Sequence, residues 1–295
     1  MISFVEAQTE TMDAVYGQER NYEMGKLIFF DIDGTLWDDK MQIPESTRRA
    51  IAELKKNGHK TFLCSGRARG NIRSEELLSL GFDGVIAACG NHIEMDGRIL
   101  YEKLLDQELV RRIVDLLDEC HIPVVLEGPT HHWISESGFE EDPYVVYLFQ
   151  EMGETALPLR GYSEDIRINK FSADILPDSD YERVKREIGA DIDFLEHEGN
   201  VVEFVPKGTS KATGIEWLCH YLHADIADTY AVGDSVNDLD MLQFAGHGIA
   251  MGNATAPTKA AAEYVTSDIH DDGIYKAMQH YGLVGHSERL YCHAK

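Results

Sequence analysis

The residues best suited to chemistry are carboxylates delivered by apolar strands. In FFDIDGTLWDD an apolar run leads into Asp31, Asp33 follows two residues later and Gly34 bends the chain, so both acids project from one strand end. Open α/β sheets bind ligands at the carboxyl ends of their strands, which places this pair for chemistry. An isolated Asp-x-Asp pair also reads as turn residues that solvate a loop. The second cluster, AVGDSVNDLDML, repeats the shape: a strand delivers Asp234 into a Gly/Ser turn, and Asn237 and Asp238 begin a helix. Capping by Ser235 and the preference of acids for a helix's first turn account for part of it. Two such clusters share a form that capping does not require. Unit negative charges about 4 Å apart repel by roughly 4 kcal/mol at an effective dielectric near 20, so gathering them calls for a cation. A hard dication on carboxylate, carbonyl and water oxygens fits, and Mg²⁺ is the metal expected. Carboxylates also act as nucleophiles that form aspartyl-phosphates.

Two further segments offer the cationic and hydrogen-bonding half of a phosphate site. FLCSGRA reads as a strand ending in Ser65-Gly66-Arg67, and PKGTSKATGIEWL as a helix start bearing Lys211. Ser65 and small residues with free amides can cradle a phosphate, and Lys211 can spread transition-state charge. Each of these, taken alone, has an ordinary structural reading.

The elements that position these residues alternate. LIFF (27–30) and KTFLC (60–64) read as buried strands, STRRAIAELKKNG (46–58) as a helix and Arg69 to Leu80 as a second helix ended by Gly81. This βα alternation predicts an α/β fold built on a Rossmann-like, doubly wound parallel sheet. A different mixture follows. The hairpin EMDGRILYE, the helix LDQELVRRIVDLLDECH and the strand candidates VVLEG, INKFSADIL and IDFLEH read as an inserted α/β domain, after which VVEFVP (201–206), a helix from Ser210 to Leu222 and the strand TYAVG resume the first pattern. The expected division is an N-terminal extension (1–25), a core (26–95 and 198–285), an inserted cap (96–197) and a tail (286–295).

In that order, DIDGT, SGR, SK before a helix and GDSVND resemble the motifs of the haloacid dehalogenase superfamily of phosphatases. The segment GDSVNDLDMLQFAGHGIAMGNATAPTKAAAEYVTSDIHDDGI is similar to the close of its Cof-like sugar-phosphatase branch, so the resemblance spans about 26–282. It implies Asp31 as nucleophile, Asp33 as acid and base, and Ser65, Gly66, Lys211 and Asn237 around the phosphoryl group. Mg²⁺ would sit on Asp31, the backbone carbonyl of Asp33 and Asp234, with Asp238 either a ligand or a residue that orients metal-bound water. The inserted domain would be a cap of the larger (C2) kind that closes over the core and selects the substrate. One departure is Ala88-Cys89-Gly90-Asn91-His92, where Cof-like members often carry an Asn-Gly pair. His131 and His132, beside Trp133, read first as exposed cap surface and second as substrate contacts, and Lys207 as a weaker alternative to Lys211. A phosphomutase would use the same residues, and a phosphate-binding protein without turnover would lack the nucleophile or the acid, both of which are present.

Composition narrows the partners. A formal net charge of −25 opposes polyanions, so neither nucleic acid nor an anionic membrane is expected. No run approaches the roughly 18 apolar residues of a membrane-spanning helix, which also excludes an ion pump. The five scattered cysteines form no CxxC or Cys/His metal spacing and suit reduced thiols. The first 25 residues lack the pattern of a secretory signal. The expectation is a cytoplasmic enzyme of small phosphorylated metabolites, monomeric or a weak homodimer.

Overall fold

The computed structural model describes residues 25–139, 143–160, 166–197 and 199–285. Most of the expected N-terminal extension and the whole C-terminal tail lie outside them. In chain order the elements begin with β1 (Leu27–Phe30), α1 (Glu45–Lys56), β2 (Lys60–Cys64), α2 (Glu75–Leu78), β3 (Gly84–Ala87), β4 (His92–Met95) and β5 (Arg98–Glu102). Next come α3 (Gln107–Glu119), β6 (Val124–Glu127), β7 (His132–Ser135), α4 (Pro143–Met152), β8 (Ala156–Leu159), β9 (Lys170–Asp174), α5 (Tyr181–Ile188), β10 (Ile192–Glu196) and β11 (Val201–Pro206). The chain closes with α6 (Lys211–Leu222), β12 (Thr229–Gly233), α7 (Leu239–Phe244), β13 (His247–Ala250), α8 (Ala256–Ala261), β14 (Tyr264–Val265) and α9 (Gly273–His280).

These strands make two sheets, one ordered β14-β13-β12-β1-β2-β3-β4-β5 and one ordered β10-β11-β9-β6-β7-β8. The first is parallel from β14 to β3 and antiparallel at β4 and β5. Its central strand LIFF is buried on both faces, as a strand between two helical layers must be. Ile28 and Phe30 pack with Ile51 and Leu54 of α1 and Ala277 and Met278 of α9. Leu27 and Phe29 turn the other way, onto Ile215 and Leu218 of α6 and Met241 of α7. That alternation is the doubly wound arrangement the sequence predicts. Each such fully buried side chain contributes about 1.5–3 kcal/mol.

Three expectations need correction. The hairpin lies in the first sheet, because β4 turns straight back on β3 and carries β5 with it. VVEFVP lies in the second sheet, between β10 and β9, because Val202 and Phe204 complete that sheet's apolar core and Phe204 stacks on Phe171 with ring centroids 4.5 Å apart. The expected boundaries at 95/96 and 197/198 therefore each leave one strand in the wrong sheet. The helix expected from Arg69 to Leu80 is a single turn at Arg69–Asn71 followed by α2, which starts late because the Ser74 hydroxyl accepts the Leu77 N–H and caps it there.

Candidate active site

The carboxyl ends of β1, β2 and β12 meet at one point. Asp31 follows β1 and its N–H donates to the Val232 carbonyl (2.9 Å), while Ser65 follows β2 and donates to the Ile86 carbonyl (2.9 Å). Asp234 follows β12, and its carboxylate accepts from Thr35 Oγ1 at 3.1 Å. Gly34, at φ +77°, lets the chain pass this carboxylate, for a Cβ there would overlap it.

Lys211 is the first residue of α6, held by a reciprocal cap between Ser210 and Thr213. Its side chain is fully buried, and Nζ donates to Asp31 Oδ1 (2.6 Å), Asp238 Oδ1 (2.6 Å) and Asn237 Oδ1 (3.1 Å). Asp238 Oδ2 accepts the backbone N–H groups of Asp234 and Ser235, both at 2.9 Å. One oxygen from each of Asp31, Asp234 and Asp238 lies within 4.8 Å of the others. Among the described residues, Lys211 is the cation that pairs with this group, through Asp31 and Asp238. Burial, reinforced by Asp238, Asp234 and Asp33 and opposed by Lys211, pushes the Asp31 carboxyl well above its ordinary range. Burial and the Asp238 charge push Asp234 up to about 7. An all-oxygen, acid-rich set of this kind suits a hard cation. Lys211 rises too, because its two carboxylate partners outweigh its desolvation.

Asp33 faces outward, with its side chain 54% exposed. Arg67 grips it with two bonds, Nε to Oδ2 and Nη2 to Oδ1, both 2.7 Å, and Trp37 Nε1 donates to Oδ1 at 2.9 Å. Desolvation at the cleft wall raises its carboxyl, but the Arg67 charge and these bonds outweigh that and hold it below the usual value. The Arg67 guanidinium also lies 5.2 Å from the Trp37 ring centroid.

A cavity of about 820 Å³ opens over these groups, lined on the first sheet's side by Asp31, Asp33, Ser65, Gly66, Asp234 and Asn237. Asp238 and Lys211 stand behind that wall. The expected site residues are thus brought together, with Asp33 turned from the Asp31 cluster toward Arg67. Lys207 is outside the site and pairs with Asp193. His132, expected on the surface, is fully buried, because β7 alternates and points His132 and Ile134 inward. Residues that the sequence reading did not assign also line or brace the site: Thr35 and Trp37, whose signal was their fixed offset from Asp31, and Arg67, whose signal was its place in SGR. Glu127, Lys170, His197 and Glu203 from the second sheet's side gave no local signal.

The family model for haloacid dehalogenase-like hydrolases matches residues 28–278. The chain belongs to that family. Among its relatives in this family, the Bacillus subtilis (strain 168) protein YkrA is 34% identical over 270 residues, 88% of this chain and 98% of the other. The 5-amino-6-(5-phospho-D-ribitylamino)uracil phosphatase YitU of the same organism is 27% identical over 269 residues, 86% of this chain and 97% of its own length. The solved structure of the subclass IIB sugar phosphatase BT4131 superposes with a TM-score of 0.76 at 27% identity, covering 88% of this chain and all of the other. This haloacid dehalogenase-like hydrolase is accordingly a phosphatase, a phosphoric monoester hydrolase. Among the described residues, no helix is long and apolar enough to cross a membrane.

Proposed function

We propose that the chain hydrolyses phosphate monoesters of small metabolites, sugar phosphates foremost, by passing the phosphoryl group through Asp31 with Mg²⁺ in the site. The observation that carries this reading is the Asp31 carboxylate on the cavity wall, one oxygen held by Lys211 at 2.6 Å, with Asp33 two residues away. Asp31 attacks phosphorus and the ester P–O bond breaks, with Asp33 giving its proton to the leaving oxygen. Asp33 then takes a proton from water, whose oxygen attacks phosphorus and frees Asp31 and inorganic phosphate. Before the first step Asp33 must leave Arg67 and take up a proton. Ser65, the Gly66 N–H and Asn237 hold the phosphoryl oxygens, and Lys211 steadies Asp31 and the charge that develops beside it.

Asp31, the Asp33 carbonyl and Asp234 would hold Mg²⁺, with Asp238 fixing Lys211 and the turn that presents Asp234. The bound ion supplies positive charge against the approaching phosphate dianion. Residues of about 103–208, which carry the second sheet, act as the cap that covers the site. Among the described residues, four free, buried cysteines support work in a reducing compartment such as the cytoplasm.

The test is a phosphate-release screen over phosphorylated metabolites, with Mg²⁺ and with chelator. Release that needs Mg²⁺ supports the reading. Conversion between isomeric sugar phosphates with little free phosphate would replace it with a mutase, and silence throughout would replace it with a binding protein.

A further inference from the structure

Opposite the acid cluster, the cavity wall is built by β6, β9 and β11 and carries charges of its own. Lys170 is buried, with Nζ 3.1 Å from Glu127 Oε1 and 2.8 Å from Glu203 Oε2. The Ser172 hydroxyl donates to Glu127 Oε1 at 2.8 Å, and His197 Nε2 lies 3.0 Å from Glu203 Oε1. Sheet register brings these groups together: Glu127 pairs directly with Lys170, and Ser172 with Glu203. Buried ions carry a desolvation cost that a packed apolar wall of the same volume avoids. A wall that keeps them beside the active site is better explained by what they bind.

Their reach fits a ligand in the same cavity. A Cβ placed on Gly66 would stand 3.1 Å from Glu203 Oε2 and 3.2 Å from Asn237 Nδ2, so the Glu203 carboxylate adjoins the loop assigned to the phosphoryl group. Behind Glu127, His132 is fully buried, its Nε2 3.8 Å from Glu127 Oε2. The wall thus holds more polar capacity than its own contacts use. Each carboxylate offers about four acceptor sites, and Lys170 spreads a single positive charge over the two acids.

We infer that Glu127, Lys170, His197 and Glu203 form a leaving-group subsite that takes uncharged, hydroxyl-rich groups and rejects those carrying a carboxylate or a second phosphate. Hydroxyls donate to the Glu203 and Glu127 oxygens and accept from Lys170 and His197. An added anion meets two acids here, with Asp174 on the same wall and Asp38 and Asp39 across the cavity. The inference rests on the phosphatase reading above and adds a selection rule to it.

The experiment compares kcat/KM for a hexitol monophosphate with that for the aldonate monophosphate of the same carbon skeleton, alongside p-nitrophenyl phosphate. The wild-type protein, Glu203→Gln and Glu127→Gln are measured with Mg²⁺. Taking the ratio within each protein cancels any difference in the amount of folded enzyme. The expected wild-type ratio favours the hexitol ester by at least about tenfold, and Glu203→Gln lowers that ratio at least about threefold. Equal or better turnover of the aldonate ester, with p-nitrophenyl phosphate hydrolysed, would overturn the subsite alone. So would a ratio unmoved in both variants. No release from any ester, the aryl phosphate included, would overturn the phosphatase reading and the subsite with it.

Discussion

The cavity stands between two buried lysines, each bridging two carboxylates. Lys211 joins Asp31 and Asp238, both at 2.6 Å, and Lys170 joins Glu127 and Glu203 at 3.1 and 2.8 Å. Around Lys211 a third acid, Asp234, stands close by and its carboxyl is pushed up to about 7. Beside the Lys170 pair His197 stands against Glu203, and Glu203 stays below the ordinary glutamate range because Lys170 and His197 outweigh its desolvation. The first cluster sets three acids against one lysine and the second sets two acids against one, so the first is the shorter of positive charge. The larger surplus of carboxylate invites a cation and a phosphoryl transfer, whereas the smaller one invites hydrogen bonding to hydroxyls and opposes an added anion.

The largest effect should come from that surplus. Asp234→Asn, or chelation of the wild-type protein, is expected to lower kcat at least about 10³-fold. In a thermal melt, Mg²⁺ at about 100 times its Kd should stabilise the wild type by about 2.7 kcal/mol and leave Asp234→Asn unmoved. Equal Mg²⁺ stabilisation of both proteins would place the ion elsewhere.

Exchanging the two lysines for methionine sharpens the contrast. Either change leaves a pair of buried acids without their cation and should cost about 3–5 kcal/mol of stability, read as the urea midpoint without metal. Mg²⁺ should recover part of the loss in Lys211→Met, where the orphaned acids are the metal's neighbours, and none of the loss specific to Lys170→Met. Identical recovery in both would erase the distinction.

The pH dependence of stability has a definite sign. Asp234 holds its proton more tightly folded than unfolded, since its carboxyl rises from 3.8 to about 7. The metal-free protein should therefore lose stability as pH rises through that window, and the Mg²⁺-induced rise in Tm should grow over the same range. Calorimetry at successive pH values, with and without Mg²⁺, checks both; a metal-free stability that climbs with pH across the window would contradict the charge surplus. The smallest effect belongs to Arg67→Ala, which frees Asp33 from the group that lowers its carboxyl. The limb of the kcat/KM profile belonging to Asp33 should move to higher pH, with the fold unchanged.

The first cluster was legible in the sequence and the second was not, for a physical reason. Asp31, Ser65 and Asp234 each end an apolar strand in a short motif, so strand periodicity and turn residues expose them together. Glu127, Lys170 and Glu203 lie on three strands, and only the antiparallel register of β6, β9 and β11 aligns them. Local pattern carries no register between distant strands. The same limit put Val201–Pro206 in the wrong sheet, since its apolar alternation fits either one until Phe204 meets Phe171. At His132 a polar pair beside Trp133 suggests surface, while the strand's alternation buries one of the two.

The proposed hydrolysis turns on Asp31 carrying the phosphoryl group. Rapid acid quench of the Mg²⁺-loaded protein with a turned-over ester, followed by peptide mass spectrometry, tests it directly. One added phosphoryl group is expected on Asp31 in the wild type, and none in Asp31→Asn, which should keep its fold and lose at least about 10⁴-fold in kcat. Undiminished turnover in Asp31→Asn, or the phosphoryl group found on another residue, would contradict it.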